Sequence, residues 1–486
     1  MKCYYRSVKM LIFLLLILLI TAQGKQYNLQ EYKINNPCIN GNPEETVDLS
    51  QMNMHTVKHN IIVSSHIKGL DLSHNYIREM EKESFQKLTN LTYLDISRND
   101  LNAEYFLFNI FPKLELSNLK TLVAGYLVKS PPYDYNRNIY NNNQDVINST
   151  SNVEILCFEG NNIENVFSNW SFFGTKLKYL SLEGNRLSTV TSVNFPASLI
   201  YLDLSSNELY QLNIIELSNL KFLDLSDNKR LLRICNNNCD VPLNMEELIN
   251  KVQGYYLYTD YGLYNHNSFF NSKNLFSLKY FYASNNNMLT IDTDAFIDTY
   301  NLITLDLSSN NLKLIADQVF INLTALRYLY LNKNQITHIP NVHKLISLKI
   351  LDLSQNRIKN VSSGSFNSLL NLRILRLNNN EIHIVEEKAF ENLNSLKELD
   401  LSDNMLHALQ ENWIFPQNSM KILLLQSNKL NRFDEISLSN VNSLTDLYLY
   451  NNTFHIIGIL HVQSLTNLPK NITLHLDLKS VDTILT

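Results

Sequence analysis

Residues Leu302–Phe320 read LITLDLSSNNLKLIADQVF. The opening fits L-x-x-L-x-L-x-x-N-x-L, with Leu302, Leu305, Leu307, Asn310 and Leu312 in the fixed places, and Phe320 follows ten residues after the asparagine. The frame recurs with Asn334, Asn356, Asn380, Asn404, Asn428 and Asn452, at steps of 24, 22, 24, 24, 24 and 24 residues. Upstream it is found with Asn75, Asn99, Asn161, Asn185, Asn207 and Asn228, and it resumes at Asn286. A degenerate copy, LKTLVAGYL, places Leu119, Leu122 and Ala124 at core sites and Leu127 where the asparagine is expected. Positions below are counted from the first leucine, so that the asparagine is position 9.

Leucines at positions 4 and 6 alternate with variable residues, the period of a strand with one buried face. Position 9 turns the chain away, and an asparagine amide can both donate to and accept from backbone groups that the turn leaves unpaired. One repeat cannot close a core, but stacked repeats bury a leucine column, each side chain contributing roughly 1.5–3 kcal/mol. The expected fold is an α/β solenoid shaped as a horseshoe. Its concave face is a parallel β-sheet and its convex face carries irregular or short helical turns. Phe296, Phe320, Phe366 and Phe390 share one register in the return segments and are expected to form a buried aromatic row.

The ends of the chain read differently. Lys2, Arg6 and Lys9 precede the apolar run Met10–Ile20, and Ala22-Gln23-Gly24 supplies small residues, the pattern of a signal peptide over 1–24. The run is shorter than the about 20 residues of a membrane span, so cleavage is expected to leave no integral membrane segment, an uncleaved anchor being the other reading. Cleavage takes the formal charge from −5 to −8, with 38 basic against 46 acidic residues. Such a balance does not recommend nucleic acid as a partner. Sequons at Asn90, Asn148, Asn169, Asn322, Asn360, Asn451 and Asn471 suit a secreted, extracellular glycoprotein.

Between these ends the chain divides into a cap over 25–66, repeats over 67–231, an interruption over 232–276, repeats over 277–454 and an atypical C-terminal cap over 455–486. An insertion rich in Pro, Asn, Tyr and Ser lies near 128–152. The second interruption gathers Tyr255, Tyr256, Tyr258, Tyr261, Tyr264, Phe269 and Phe270, which suit either a binding loop or packing on the flank. Cys235 and Cys239, four apart, predict a local disulfide. Cys157 stands at position 5, and a bridge to Cys38 would need the cap to cross several repeats. One or both are therefore expected either to be free or to join another chain, as a disulfide-linked or non-covalent partner through Cys38 or Cys157. His55, His59 and His66 could hold a metal only if the i, i+4 pair were helical, and without acidic or thiol ligands beside them no metal site is predicted.

Tyr93, Tyr179, Tyr201, Tyr280 and Tyr328 recur at position 3, and Asp71, Asp95, Asp203, Asp224, Asp306, Asp352 and Asp400 at position 5. Departures from the position-5 aspartate are more informative. Tyr282, Tyr330, Arg376, Leu424 and Tyr448 predict an exposed recognition strip on neighbouring strands, since aromatic and Arg side chains dominate interface hot spots. No G-x-S-x-G, phosphate loop, dinucleotide fingerprint or H-E-x-x-H is present, so neither an enzyme nor a cofactor is predicted.

The repeats resemble the 24-residue class of animal extracellular leucine-rich-repeat proteins, and Cys38 with Val47-Asp48-Leu49-Ser50 resembles part of an N-terminal cap of that class. The whole is similar to coil-less insect leucine-rich-repeat immune proteins, to Toll-like receptor ectodomains and to chaoptin-like adhesion proteins. That resemblance implies a secreted protein recognising protein or glycan ligands in innate immunity. An adhesion or matrix protein, or a receptor ectodomain lacking its anchor, is the alternative.

Overall fold

The computed structural model describes Cys38 and residues 43–59, 64–127, 152–165, 176–191, 195–236, 269–416, 418–433, 436–454 and 472–476. The predicted leader, the tyrosines from Tyr255 to Tyr264 and the sequons at Asn148, Asn169 and Asn471 lie outside these residues.

Each repeat supplies a three-residue strand at positions 3–5, and 17 such strands form one parallel sheet from Thr46–Asp48 to Thr473–His475. The register has no slips: Leu305 faces Leu329, which faces Leu351, which faces Leu375. All four are fully buried, because a parallel strand with positions 4 and 6 turned inward must cover them with the next turn of the coil. The chain is thus a curved parallel solenoid with its long sheet on the concave face.

The asparagine at position 9 ties each turn to the one before it. Asn356 donates through Nδ2 to the carbonyls of Leu353 at 3.0 Å and Leu331 at 2.9 Å, and its Oδ1 accepts from the Ile336 N–H at 2.9 Å. Asn334, Asn380, Asn404 and Asn428 repeat the same three bonds. The residue before each asparagine takes a left-handed backbone, for example Lys333 at φ 56°, Gln355 at 54° and Asn379 at 54°. That single conformation swings the asparagine inward. Gly160 fills the place where a Cβ would meet the Tyr126 ring at 2.4 Å.

The longest helical run among the described residues is Ala103–Leu114, in a widened return segment capped by Asn102, whose Oδ1 accepts from the Tyr105 N–H at 2.8 Å. Elsewhere the returns are turns and short strands. Five of these strands form a second parallel sheet in the spatial order Thr189–Thr191, Gln211–Asn213, Phe269–Asn271, Arg233–Cys235, Thr290–Ile291. The strand Phe269–Asn271 therefore slots in ahead of the strand that precedes it in sequence. Phe269 and Phe270 are 4% and 0% exposed, so these two belong to the core and not to a tyrosine-rich binding loop. Arg233, itself buried, holds this crossing through Nε to Asp292 Oδ1 at 2.7 Å and a second bond from Nη2 to Oδ2. In the aromatic row, Phe296 stacks near Phe320 and Phe366 near Phe390, at 6.2 and 5.8 Å between centroids. The 22-residue repeat breaks that row with Val342, and Trp413 extends it edge-on to Phe390.

The expectation of a partner linked through Cys38 or Cys157 is overturned, because these two cysteines bond to each other across 119 residues. The distance is smaller than it looks in sequence. Four strand steps separate Thr46–Asp48 from Ile155–Cys157, roughly 19 Å at about 4.8 Å each. The eight residues from Cys38 to Thr46 can span about 26 Å when extended. Cys235 is also disulfide-bonded, and Cys239 lies outside the described residues.

Two measurements test this framework. Asn356→Ala leaves the buried Ile336 N–H unpaired and takes one of two donors from each of the Leu331 and Leu353 carbonyls, which keep Asn334 and Asn380, and is expected to cost on the order of 1–3 kcal/mol, whereas Gln355→Ala, one residue away and exposed, costs little; denaturant unfolding of the two variants decides. The Cys38→Ser/Cys157→Ser variant is expected to lose about 2–5 kcal/mol. On non-reducing electrophoresis the parent is expected to run as a monomer.

Candidate ligand-binding face

Positions 3, 5 and 7 point from the long sheet into the concave face, and strict register turns each into a column. At position 3 the rings of Tyr179, Tyr201 and Phe222 stack at 4.0 and 4.1 Å, with interplanar angles of 12° and 9°. Their stack ends against Tyr282, whose ring lies 5.4 Å from that of Phe222. Toward the N-terminus the face is covered: Cys38 packs with Tyr93, Val123, Cys157 and Tyr179. The disulfide thus lies over the concave surface beside Tyr93, Val123 and Tyr179.

The five residues of the predicted strip fall in one column, but not side by side. Pairing across the sheet gives Tyr282, Asp306, Tyr330, Asp352, Arg376, Asp400, Leu424, Tyr448 and His475 in succession. Only Leu424 and Tyr448 are direct neighbours among the predicted five. All five are half-buried where exposure was expected, because each side chain leans on the adjoining strands. Arg376 is flanked by carboxylates, Asp352 at 3.6 Å and Glu398 at 3.5 Å, so its charge is already matched. Tyr448 stacks on His475 at 4.0 Å and 3°, a contact supplied by the faded C-terminal repeat.

The interleaved aspartates are held in one way. Asp400 Oδ1 accepts from the Ser402 N–H at 3.0 Å and from Ser402 Oγ at 2.6 Å, and Asp203 and Asp352 do the same with Ser205 and Ser354. Burial pushes the Asp400 carboxyl up to about 6, with Glu398 adding to the shift and the Ser402 bonds opposing it. Glu159 is pushed up to about 7, mainly by burial and further by Glu183 and Asp203. Asp203 and Asp224 are both raised by burial, and Asp224 also by the charge of Asp203. At position 7, the buried Oδ1 of Asn378 and Oε1 of Gln426 have no hydrogen-bond partner. This face therefore accumulates acceptors: desolvated carboxylates, unpaired amide oxygens and tyrosine rings.

Other predicted residues lie apart from it. Asn90, Asn322, Asn360 and Asn451 are exposed. His55 and His59 flank the short strand Thr56–Val57 rather than sharing a helix, and His55 stacks on Tyr76 at 5.6 Å. Cys38, Cys157 and Glu159 form the one cluster of metal-type ligands among the described residues, and its two sulfurs are spent in the disulfide.

A leucine-rich-repeat family model matches residues 45–101, 276–336 and 346–406, and a second, covering two copies, matches 324–367. The chain is a leucine-rich-repeat protein. It is similar to Tsukushi of Gallus gallus, 29% identical over 205 residues, covering 38% of this chain and 55% of that protein. It is also similar to Toll-like receptor 8 of Homo sapiens, 25% identical over 374 residues, which cover 72% of this chain and 31% of that one. The chain thus spans less than two thirds of the curated relatives it matches. Among solved structures, the Toll–Spatzle complex of Drosophila superposes with a TM-score of 0.64 at 17% identity, over 90% of this chain and 57% of that one. A leucine-rich-repeat protein of Leptospira interrogans gives 0.54 at 20% identity, over 91% and 98%. These two share the fold. No helix among the described residues is long and apolar enough to cross a membrane.

The raised carboxyls make a pH prediction. Folded Asp400 keeps its proton to about pH 6, while the unfolded group releases it near 3.9. The folded leucine-rich-repeat chain thus binds more protons across that window, so stability falls as pH rises through it. Asp400→Asn, which keeps the Oδ1 acceptor for Ser402, is expected to be more stable than the parent at pH 7.5 by on the order of 2 kcal/mol. The two should converge below about pH 4, as read by denaturant unfolding at each pH.

Proposed function

We propose that this leucine-rich-repeat chain is an extracellular recognition protein that acts in innate immunity and binds a protein ligand through the concave face between Tyr282 and His475. The observation that carries the reading is the excess of acceptors there. Asp306, Asp352 and Asp400 alternate with Tyr282, Tyr330, Arg376, Leu424 and Tyr448, beside the unpaired oxygens of Asn378 and Gln426. A surface of this kind suits a partner that brings donors and positive charge, such as a protein presenting lysines and arginines. Tyrosines between the carboxylates add rigid apolar area to each polar contact. Ligand cations would also lower the cost of holding carboxylates in a desolvated row.

An extracellular setting is supported by the Cys38–Cys157 disulfide, a bond that persists in oxidising compartments. Four exposed sequon asparagines among the described residues, Asn90, Asn322, Asn360 and Asn451, are available for glycosylation in that setting. The immune assignment draws on the likeness to Toll-like receptor 8 and to Toll, whose complex with Spatzle is described as a hub in development and innate immunity.

The test is a pull-down from the source's extracellular fluid with the purified protein, beside a Tyr282→Ala/Tyr330→Ala/Tyr448→Ala variant. We expect a basic soluble protein to be captured by the parent and about tenfold less by the variant, corresponding to a loss near 1.4 kcal/mol. Equal capture by both would remove the concave strip from the reading. Failure to capture any soluble partner, with staining at cell surfaces, would favour adhesion.

A further inference from the structure

A second column of charge runs along the edge of the long sheet, at position 2, just before each strand begins. From Lys221 to Lys421 the successive residues are Lys221, Lys279, Ile303, Arg327, Lys349, Arg373, Lys397 and Lys421. Seven of these eight are cations. Their backbones are tied in line: the N–H of Lys279 donates to the Lys221 carbonyl at 2.9 Å, and Arg327, Lys349, Arg373, Lys397 and Lys421 each donate to the preceding position 2 at 2.8–2.9 Å. Seven strand steps of about 4.8 Å make a line of roughly 34 Å. Lys349 is half-buried and the other six cations are exposed.

The same column before Lys221 behaves otherwise. There Lys68 pairs with Glu45, and Lys178 with Glu154, each at 2.9 Å, so a carboxylate one turn away neutralises the cation. From Lys221 onward no position 2 is acidic, and none of the seven cations takes part in an ion pair among the described residues. Like charges on adjacent strands destabilise the sheet. A row that forgoes the neutralising carboxylates used elsewhere in the same chain is suited to a ligand that supplies the anions.

We propose that this edge binds a linear anionic polysaccharide, at a site separate from the concave face and independent of the function proposed for it. The strip is one residue wide, because the carboxylates of Asp224, Asp306, Asp352 and Asp400 stand three positions inward on the same strands. A slender chain with pendant acidic groups fits such a lane, and a broad polyanion would meet the acidic face. Outside the cations, Phe276, Tyr300, Ile346 and Leu370 are exposed by 39, 47, 52 and 53%. Asn301 and Asn371 hold their line by donating to the Phe276 and Ile346 carbonyls at 2.7 and 2.9 Å. Sugar rings pack their C–H faces on aliphatic and aromatic side chains alike, while the bases of a single-stranded nucleic acid need aromatic platforms, which Ile346 and Leu370 cannot provide.

The probe is immobilised heparin, with neutral dextran as reference, and the full chain is used throughout. One variant reverses three cations of the row, Arg373→Glu/Lys397→Glu/Lys421→Glu. The other makes the same change in net charge at exposed lysines far from it, Lys58→Glu/Lys87→Glu/Lys113→Glu. The parent is expected to bind heparin and not dextran, and the row variant about tenfold or more weakly, with the slope of log affinity against log salt reduced by about 2–3. The distant variant stays close to the parent, and thermal unfolding confirms that both variants fold. The proposal is overturned by a parent that does not bind heparin, by an unchanged row variant, or by equal losses in both variants. Tighter binding of a single-stranded oligonucleotide than of heparin would overturn it in favour of a nucleic-acid surface.

Discussion

Every other feature of this molecule depends on the three hydrogen bonds of the position-9 asparagine. A coil of this kind leaves one carbonyl and one N–H without strand partners at each turn, inside the stack where water cannot reach. The asparagine amides meet both: Asn334 donates to the Leu331 and Leu307 carbonyls and its oxygen accepts from the Leu312 N–H, while Asn356 is the second donor to Leu331. Because one of those carbonyls and the N–H belong to the preceding turn, the amide sets the offset between turns as well as satisfying them. An aspartate would keep the acceptor and lose both donors, which is why charge is tolerated at positions 2, 5 and 8 and not here.

A fixed offset has a consequence for chemistry. Residues a full repeat apart in sequence become neighbours at strand spacing, so a bias at one position becomes a continuous column. Position 3 makes the stack Tyr179–Tyr201–Phe222, position 5 a row of carboxylates, and position 2 a row of cations. Ordinary globular packing would scatter such biases. Here repulsion between carboxylates is moderated locally, since Asp203, Asp352 and Asp400 each turn one oxygen onto a serine two residues on. The other side of the carboxylate remains turned toward the concave space, at the cost of the raised affinity for protons seen in Asp400 and Glu159.

This also explains what could and could not be read in the chain before its structure. Spacing of leucine and asparagine is local, and it was enough for the solenoid, the parallel sheet and the inward face of each strand. Contacts made across turns were harder. Tyr282, Tyr330 and Arg376 are conspicuous as departures from aspartate, yet the pairing inserts Asp306 and Asp352 between them and half-buries all three. Cys38 looks remote from Cys157 when distance is counted in repeats of about 24 residues. It is close when counted in strand steps. Phe269 and Phe270 sat in an aromatic run whose composition hid a strand. The cations of position 2 were present in the letters throughout, but each is an unremarkable exposed lysine or arginine until the letters are read down a column.

Two opposed rows three positions apart give the C-terminal half of the face a division of labour that net charge conceals. A formal charge of −5 suggests a mildly acidic protein that would repel polyanions. Within about 8–10 Å, the screening length at physiological salt, a ligand does not respond to that sum. At the edge it meets Arg373, Lys397 and Lys421 first, and further in it meets Asp352 and Asp400. A polyanion is therefore drawn to the lip and turned away from the concave surface, while a basic protein is drawn to the concave surface and turned away from the lip. The two ligands would not compete, and an anionic chain along the edge would raise the local concentration of any basic partner beside it. Such an arrangement needs no conformational change, only that repeats keep their register across the eight strands from Phe222 to Leu424, which is what the asparagine amides enforce.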